Sequence, residues 1–231
     1  MTIQNIKNQT FKEVEVWVLD GGSSEETQTY LQQLKPPFFY QSEKDDGIYD
    51  AMNKGIGLSK GEWLYFLGSG DVLYNDGVLE TLFSNSIPKE VSLIAGKIIY
   101  EGDTNPFIYS KLKRTQTPSW SFSIWIRNSL HHQGTLYKKS LFLNNTFNLT
   151  YKILSDYWFN ILLFKNKEHC FIVDFMLAKC NSNGVSKSGS WQLYKEEIKL
   201  KMNHSSMVLF PFFFCLAFVK FLTRKLIHGF A

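Results

Sequence analysis

The sequence predicts an α/β fold, with a mostly parallel sheet flanked by helices, and three observations support this. Short apolar runs that favour strands alternate with segments of helical periodicity over roughly the first hundred residues. The loops between these segments are short. The apolar run at 62–67 ends in Gly68-Ser69-Gly70-Asp71. Small residues followed by a carboxylate are typical of the strand ends where open α/β sheets bind ligands.

The first half of the chain alternates strands with helices. The predicted strands are 14–19, 38–41, 62–67 and 91–100, and the predicted helices are 25–34, 48–58 and 77–83. Lys35-Pro36-Pro37 ends the first helix because proline cannot continue one. The spacing of Ile48, Met52 and Ile56 places an apolar face on the second helix, and Gly61 follows its end.

The second half of the chain has longer loops. Residues 101–135 are irregular, and a loop of this length in a compact domain is usually functional or disordered. Trp120, Trp125 and Arg127 favour a binding loop that stacks on sugar and binds phosphate, with core packing of the tryptophans as the alternative. Beyond it we expect a strand and turn at 135–143, a helix at 155–165, a strand at 169–178 and a polar helix at 191–202.

The last apolar run, 207–222, reads MVLFPFFFCLAFVKFL. A membrane span needs about 20 apolar residues, whereas Lys220 interrupts this run and Pro211 lies inside it. We therefore expect an amphipathic helix at a membrane interface, with Lys220, Arg224 and Lys225 near anionic headgroups. A helix packed on the domain is the main alternative, and a true membrane span is the least favoured.

The net charge of +4 is concentrated in one segment. Residues 201–231 carry four basic residues and no acid, so residues 1–200 hold equal numbers of acidic and basic side chains. A nucleic-acid-binding domain would spread basic charge over a folded face, so we expect no nucleic-acid partner. The charge pattern thus divides the chain into a domain, 1–200, and a basic apolar tail, 201–231.

The cysteines and the N-terminus indicate the compartment. Cys170, Cys180 and Cys215 form no Cys-x-x-Cys pair, which argues against a disulfide scaffold or a zinc site. The first residues lack the basic segment and apolar run of a signal peptide. We expect a cytoplasmic protein, held peripherally on the inner face of the cytoplasmic membrane by its tail.

Two motifs carry a family resemblance. Asp20-Gly21-Gly22-Ser23 follows the first predicted strand, and SEKDDGIYDAMNKG (42–55) runs through a turn into a helix. In this order, the motifs resemble those of family 2 glycosyltransferases with the GT-A fold, of the bacterial polysaccharide and lipid-linked glycan type. The resemblance covers roughly residues 1–200 and implies a Rossmann-like nucleotide-diphospho-sugar transferase.

The resemblance also implies an activity. It predicts inverting transfer of a sugar from a nucleotide diphosphate, a UDP-sugar, with a divalent metal, Mg²⁺ or Mn²⁺. The acceptor would be a glycan or a lipid-linked intermediate of cell-surface polysaccharide biosynthesis, such as lipopolysaccharide or capsule. The tail would hold the enzyme beside such an acceptor at the membrane surface.

Both motifs contain donor-site residues if the resemblance holds. Asp20 and Gly22 of the first motif, and Asp45 and Asn53 of the second, would bind the nucleotide sugar, with Asp50 as a further candidate. The acids have simpler alternatives. Asp20 can cap the helix that follows it, and Asp45 can be a solvated turn residue.

Asp71 is the metal candidate. A divalent cation held by carboxylate oxygens neutralises a diphosphate leaving group. In the family this strand end carries an Asp-x-Asp motif, and here Ser69-Gly70-Asp71 keeps only the last acid. The alternative is that Asp71 caps the next turn.

Asp156 is the candidate catalytic base. A single displacement at the anomeric carbon needs a base for the proton of the acceptor hydroxyl. In the family an acid at the start of a late helix does this, and Ser155-Asp156-Tyr157-Trp158-Phe159 matches that pattern. The alternative is a plain helix N-cap. His132 matches a family His-Gln near the donor phosphates or the acceptor, with a structural histidine as the alternative.

The resemblance begins late in the family pattern. Relatives open with an apolar strand and a turn that contacts the nucleotide, whereas this chain begins inside the helix that follows. The first strand of a doubly wound sheet is central, so its loss would expose strand edges. We expect either a start upstream of Met1 or a truncated protein, and an upstream-extended chain should be more stable and more active. The alternative function is therefore a catalytically impaired or non-catalytic nucleotide-sugar-binding relative.

Overall fold

A computed structural model describes residues 1–84, 86–102, 106–182, 184 and 189–228. The described helices are α1 (Thr2–Lys7), α2 (Glu25–Gln32), α3 (Ile48–Leu58), α4 (Val78–Ser84), α5 (Ser155–Lys165), α6 (Trp191–Asn203) and α7 (Phe210–His228). The described strands are β1 (Val16–Asp20), β2 (Phe38–Ser42), β3 (Trp63–Tyr65), β4 (Val72–Leu73), β5 (Val91–Glu101), β6 (Thr115–Gln116), β7 (Thr135–Lys138) and β8 (His169–Asn181). Parts of two segments discussed above, 103–105 of the long loop and 229–231 of the tail, lie outside the described residues.

The strands form two separate sheets. β1 and β2 pair in parallel, with Val16 beside Phe38 and Asp20 beside Ser42. The second sheet has six strands in the order β3-β7-β5-β8-β4, and β6 pairs with β5. In that sheet β5 and β8 are parallel, whereas the other described pairs are antiparallel. The α/β class is confirmed, but the sheet is mixed and not mostly parallel.

The antiparallel pairs arise where no helix crosses between strands. Parallel neighbours need a crossover connection of about a dozen residues or more, usually a helix. The described residues between β5 and β7 include no α-helix, and β7 lies antiparallel between β3 and β5. The connection from β5 to β8 includes α5, and these two strands are parallel. Apolar runs predict that strands exist, but not their directions.

Helix α3 connects the two sheets. It begins at Ile48 and ends at Leu58, as predicted. On one side Met52 and Ile56 are buried in the core with Leu64 of β3. On the other side Gly55 lies against β1, where an added Cβ would be 3.3 Å from the side chain of Leu19. Helical spacing thus lets α3 hold β1 beside the six-stranded sheet.

A carboxylate joins the start of β1 to the start of β3. The side chain of Glu15 accepts hydrogen bonds from the backbone N–H groups of Lys60 and Gly61, at 2.8 Å from Gly61. Burial raises the pKa of Glu15, but these two donors, with the Trp17 side chain and the charge of Lys60, lower it more, so the pKa lies below its usual value. Within the described residues β1 pairs only with β2, so the Glu15 bonds act where no strand ladder links β1 to β3.

The short strands β4 and β6 were absent from the sequence prediction, whereas α1 lies where the family resemblance placed the rest of a helix. Polar contacts join α1 and β4. The side-chain amide of Asn5 donates to the Leu73 carbonyl and accepts from the Leu73 N–H, at 3.2 and 2.8 Å. The Gln9 amide likewise donates to the carbonyl of Asn75 at 2.7 Å. Because polar side chains make these contacts, the spacing of apolar residues predicts neither α1 nor β4.

The last three helices pack in series. Leu200 of α6 is buried with Ile161 of α5, and Ile198 of α6 is buried with Ala217 of α7. The predicted helices at 155–165 and 191–202 therefore exist with nearly the predicted bounds. Through α6, the terminal helix α7 is attached to the helix that carries Asp156.

Candidate active site

Asp156 lies in the first turn of α5 and is almost fully buried, with 5% of its surface exposed. Its Oδ1 accepts hydrogen bonds from the Tyr49 hydroxyl at 2.9 Å and from the N–H of Tyr157 at 2.8 Å. Its Oδ2 accepts from Nδ1 of His132 at 3.0 Å. The carboxylate thus joins three segments that are far apart in sequence, α3, the turn before β7, and α5.

The charge state of Asp156 follows from these partners. Burial alone would raise the pKa of the carboxyl. The hydrogen bond and positive charge of His132, the charge of His131 and the Tyr49 hydroxyl together lower it more, so the pKa lies below its usual value. Burial also raises the pKa of Tyr49 well above its usual value, so this hydroxyl stays a donor. Asp156 is therefore an ionised, desolvated acceptor at neutral pH.

Glu196 of α6 fixes the chain that enters α5. Its carboxylate accepts hydrogen bonds from three consecutive backbone N–H groups, those of Lys152 at 3.2 Å, Ile153 at 2.8 Å and Leu154 at 2.7 Å. Leu154 is the residue immediately before α5. The Glu196 side chain is itself buried. The position of Asp156 is therefore determined by a second carboxylate on a different helix.

A cavity of about 520 Å³ lies beside Asp156, within the usual size range of ligand pockets. Its lining includes Tyr100 and Asn181, near the ends of β5 and β8, so it lies at the carboxyl ends of two strands. Further polar lining residues are Tyr49, Arg127, His131, His132 and Gln133. Apolar lining residues include Ile108, Ile126, Leu193, Leu216 and Val219.

Asp20 ends β1, and its carboxylate organises the turn that follows. Both oxygens accept from the N–H of Ser23 at 3.2 Å, and Oδ2 accepts from the Ser42 hydroxyl at 2.6 Å. The bonds from Ser23 and Ser42 lower the pKa of Asp20. Gly22 has φ +94°, a left-handed conformation that glycine adopts without steric cost. Asp20 thus holds its own turn and does not cap α2, whose N-cap residue is Ser24 without a side-chain capping bond, and its nucleotide role stays a prediction.

The two motifs lie side by side. A Cβ added to Gly21 would be 3.3 Å from Oδ2 of Asp45, which places the Asp20-Gly21-Gly22-Ser23 turn against the second motif. Asp45 pairs with Lys54 at 2.6 Å, and Lys54 also pairs with Glu43 and Asp50 at 2.8 and 3.2 Å. The hydrogen bonds that Lys54 donates to these acids raise its pKa. Lys54 therefore bridges three acids of the second motif and offsets one of their three negative charges.

Asn53 has both groups of its side-chain amide occupied. The amide donates to the Phe147 carbonyl and accepts from the Phe147 N–H, at 2.9 Å each. Phe147 is buried in the core with Tyr49. Asn53 thus fastens the segment before α5 to α3. Its predicted donor contact would require one of these two bonds to open.

Asp71 is buried after β3 and binds its own surroundings. Its Oδ1 accepts from the N–H of Asn181 at 2.9 Å and its Oδ2 from the N–H of Gly68 at 3.1 Å. Among the residues that the structure describes, no three His, Cys, Asp or Glu side chains form a group that could hold a metal ion. Asp71 is therefore a single carboxylate outside any such group in the described part of the chain, and one carboxylate is not a metal site by itself.

The three candidates in the long loop have different environments. Trp120 donates its indole N–H to the Glu168 carbonyl at 2.9 Å and packs edge-on against Phe164, as the core alternative predicts. The ring of Trp125 stacks on Phe213 of α7, with centroids 6.1 Å apart. Arg127 alone of the three lines the cavity. The aromatic side chains thus hold the loop, and the guanidinium faces the site.

The prediction missed several contributors. Tyr49 stands inside the SEKDDGIYDAMNKG motif but was given no role, and a motif residue on the apolar face of a helix was the available signal. Glu196 and His131 had no signal of their own, because each acts through a fold contact with a distant segment. His131 is held by the Tyr100 hydroxyl, 2.8 Å from its Nδ1.

Fold and site together define a class of protein, an α/β protein of the GT-A fold with its site at the carboxyl ends of the strands. The chain belongs to glycosyl transferase family 2, whose family model matches residues 1–175. It is similar to the PGL/p-HBAD biosynthesis glycosyltransferase of Mycobacterium tuberculosis, with 29% identity over 175 residues, 71% of this chain. It spans 63% of the length of that curated relative.

Solved structures share the fold. The crystal structure of Staphylococcus aureus TarS 1–349 superposes with a TM-score of 0.64 and 16% identity, over 97% of this chain and 66% of that one. TarS has also been solved in complex with UDP-GlcNAc, at a TM-score of 0.63, 15% identity and coverages of 97% and 67%. The Pyrobaculum calidifontis mannosyltransferase PcManGT, in complex with GDP-Man and Mn²⁺, matches with a TM-score of 0.60, 12% identity and coverages of 100% and 71%.

Proposed function

We propose that this protein transfers a sugar from a nucleotide diphosphate to a hydroxyl acceptor with inversion, and that Asp156 is the base. The observation that carries the proposal is the buried, ionised carboxylate of Asp156, held by His132 and Tyr49 on the wall of a cavity. A structural N-cap needs neither the histidine nor the cavity. Family membership supports the reaction class.

The hydrogen bonds indicate which atom takes the proton. A carboxylate has about four lone-pair sites. Oδ1 already accepts two bonds, from Tyr49 and Tyr157, whereas Oδ2 accepts one from His132. Oδ2 therefore has room for an acceptor hydroxyl. As the hydroxyl oxygen bonds to the anomeric carbon, its proton passes to Oδ2 and the bond to the diphosphate breaks.

The donor is proposed to be a UDP-sugar bound beside the two motifs. Its support is the proximity of Gly21 to Asp45 and the UDP-GlcNAc complex of TarS. A cation, Mg²⁺ or Mn²⁺, is proposed at Asp71 and would supply charge neutralisation of the diphosphate. Because Asp71 is a single carboxylate, the other ligands of such a cation must come from the diphosphate and water.

The acceptor is proposed to be a glycan or lipid-linked intermediate at the cytoplasmic membrane surface. By length and composition, the segment Met207–Ile227 forms a helix long and apolar enough to cross a membrane, and only 11% of its most apolar window is buried. The same composition suits a helix lying in the interface. The name of the mycobacterial relative points to cell-surface glycan synthesis as the pathway class.

Calorimetry of UDP binding with and without Mn²⁺ tests the donor site. We expect binding that strengthens with Mn²⁺ in the unaltered chain and loses that dependence in Asp71→Ala. Asp174→Ala is the matched control, because Asp174 is a surface residue with 93% side-chain exposure. Absence of UDP and GDP binding by the folded chain would contradict the proposal.

A non-catalytic nucleotide-sugar-binding protein is the second candidate. One observation favours it, since both oxygens of Asp71 are already bound by backbone N–H groups. Release of UDP from UDP-GlcNAc, with water as acceptor, distinguishes a transferase from a non-catalytic binding protein. Release that Asp156→Asn abolishes supports the transferase, whereas UDP binding without release in either protein supports the alternative.

A further inference from the structure

A buried charge cluster holds α7 against α6. Glu197 of α6 is buried, and its Oε1 pairs with Lys220 of α7 and with Lys201. Both lysines also donate to the Ile126 carbonyl. The sequence predicted Lys220 near membrane headgroups, and the structure corrects this, because a buried carboxylate requires a partner charge. The charge of Lys220 therefore faces inward and fixes the position of the terminal helix.

A second buried cluster is uncharged and lies on α5, the helix that carries Asp156. Asn160 is fully buried, and its Nδ2 donates to the Leu130 carbonyl at 3.0 Å. Its Oδ1 accepts from the Tyr137 hydroxyl, also at 3.0 Å. Asn160 follows Asp156 by four residues, about one helical turn, so both side chains lie on the same side of α5.

The two partners of Asn160 flank the turn that carries His132. Leu130 lies two residues before His132, and Tyr137 lies on β7, which begins directly after the turn. One amide on α5 thus holds the chain on both sides of the histidine. Asp156, one turn earlier on the same helix, accepts the hydrogen bond from His132 at 3.0 Å. The amide and the His132–Asp156 bond therefore join the same two segments.

Other hydrogen bonds tie this turn to the sheet. The Tyr65 hydroxyl of β3 donates to the Gln133 carbonyl at 2.5 Å, and the Tyr100 hydroxyl of β5 lies 2.8 Å from Nδ1 of His131. These contacts hold the turn against the strands. They do not set its distance from α5, whereas the Asn160 amide does.

The surroundings of Asn160 indicate that its amide, and not its volume, is what the position requires. Leu130, Tyr137 and Phe159 belong to one apolar core cluster. A polar group buried in such a core costs free energy unless it is hydrogen-bonded, and leucine would fill a similar volume without that demand. The two bonds of the amide are therefore the contribution of Asn160 to this part of the core.

We propose that Asn160 is a positioning residue for the reaction, because its amide sets the distance between the His132 turn and α5 and so keeps Nδ1 of His132 on Oδ2 of Asp156. The proposal rests on the transferase function above, in which Asp156 is the base. Without the amide the turn would stay on the sheet but could move away from α5.

A looser turn would change the charge state of Asp156. The hydrogen bond and charge of His132 lower the pKa of Asp156 against the effect of burial. A longer contact weakens both influences while the burial remains, so the carboxylate would take up a proton at higher pH. The other groups that face Asp156 and lower its pKa, His131 and the Tyr49 hydroxyl, keep their positions.

The titration of Asp156 tests the proposal on the full chain without substrate. Protein labelled with ¹³C at the aspartate carboxyl carbon reports protonation by NMR, and Asp156→Asn identifies the signal. Asn160→Leu removes both hydrogen bonds of the amide, and Tyr137→Phe removes one of them with a smaller change in packing. In both variants Asp156 should become protonated at higher pH than in the unaltered chain.

Tyr65→Phe is the matched control, because it removes a phenol hydroxyl that ties the same turn to β3 and not to α5. Thermal denaturation should show lower stability in Tyr65→Phe and Tyr137→Phe alike, but the titration of Asp156 should move only in Tyr137→Phe. An unmoved titration in Tyr137→Phe and Asn160→Leu, or an equal movement in Tyr65→Phe, would overturn the proposal. If Asn160→Leu does not fold, Tyr137→Phe decides alone.

Release of UDP from UDP-GlcNAc in water distinguishes this failure from failure of the proposed function. Turnover should fall about tenfold or more in Asn160→Leu, with UDP affinity within about twofold, because the base is misplaced and the donor motifs are unchanged. Normal release in all proteins with an unmoved titration would mean that the transferase stands and the positioning role is wrong. A moved titration without release by the unaltered chain would mean that the positioning of Asp156 stands and the transferase is wrong.

Discussion

The two halves of the site differ in how they are held. Asp156 is buried, and its partners come from three distant segments, with Glu196 fixing the chain beside it. Asp20 and Asp45 lie on short-range turns beside a two-stranded sheet, where β1 is mostly half-buried. Burial strengthens polar interactions and excludes the water that would compete for the same hydrogen bonds. The base is therefore preorganised, whereas the donor half depends on α3 and Glu15 for its position.

Replacement of the base should give the largest effect. Asp156→Asn keeps the size of the side chain but cannot accept the hydroxyl proton, so turnover should fall about 10²- to 10⁴-fold. UDP affinity should stay within about twofold, because the change lies in the preorganised half. Steady-state kinetics and calorimetry measure both quantities. Asp174→Asn, on the exposed surface, is the control. If Asp156→Asn lost as much UDP affinity as turnover, the distinction between the two halves of the site would be wrong.

We expect the second-largest effect from removal of the Glu196 carboxylate. Glu196→Ala leaves three backbone N–H groups near Asp156 without their acceptor, so unfolding free energy should fall by about 2–3 kcal/mol. Turnover should fall as well, since the start of α5 moves. Thermal denaturation and kinetics check this, with the exposed Glu90→Ala as control. A stable variant with unchanged turnover would show that Glu196 does not position the base.

The pH dependence of the reaction should reveal the role of His132. With the pKa of Asp156 below its usual value, kcat/KM should lose activity only in acid, as the base becomes protonated. His132→Ala removes the largest lowering influence but keeps the burial, so this acid limb should move to higher pH. A pH–rate profile measures the shift. An unmoved limb would mean that another group takes the proton.

The same shift predicts how stability depends on pH. A carboxyl with a depressed folded pKa stabilises the protein above its unfolded pKa, and this contribution is lost as pH falls through the folded pKa. Denaturant unfolding of the unaltered chain and of His132→Ala should therefore differ most near neutral pH and converge in strong acid. A constant difference at all pH values would assign the effect of His132 to packing.

The smallest effect should come from the link between the two sheets. Glu15→Gln keeps one carbonyl oxygen for Lys60 and Gly61 but loses the charge, so unfolding free energy should fall by about 1 kcal/mol or less. UDP affinity should fall by more than turnover at saturating donor. Glu13→Gln is the control, because Glu13 is exposed and lies two residues before Glu15 in the sequence. An unchanged UDP affinity would mean that the donor half is held by α3 alone.

Sequence patterns predicted the helices and strands that are determined by residues close together in the sequence. The apolar spacing of Ile48, Met52 and Ile56 located α3 within its observed bounds, and α5 begins at the predicted Ser155. The direction of β7 and the existence of β4 were missed, because strand partners and polar docking contacts depend on segments far away in the chain. Local pattern predicts elements, and long-range contacts decide how they are arranged.

For the site, too, the sequence identified individual residues but not the contacts between them. Asp156 and His132 were singled out separately, and the structure brings them within 3.0 Å of each other. Asn53 was predicted at the donor, which stays a prediction, and in this structure its amide holds the Phe147 backbone. A motif identifies which residues matter to a family, but it does not separate contacts with the ligand from contacts with the protein. Only the pairing of side chains across the fold makes that separation.

The inward position of Lys220 has a consequence for how the protein would stay on a membrane. Lys220 forms an ion pair with Glu197, and the Arg224 side chain packs close to Gly189. Neither side chain therefore points toward lipid headgroups. Attachment through α7 would then depend on the depth to which its phenylalanines insert. Such adhesion is insensitive to ionic strength, since screening weakens charge contacts and not apolar burial. High salt would leave the protein on vesicles, whereas thicker or more tightly packed lipid would release it.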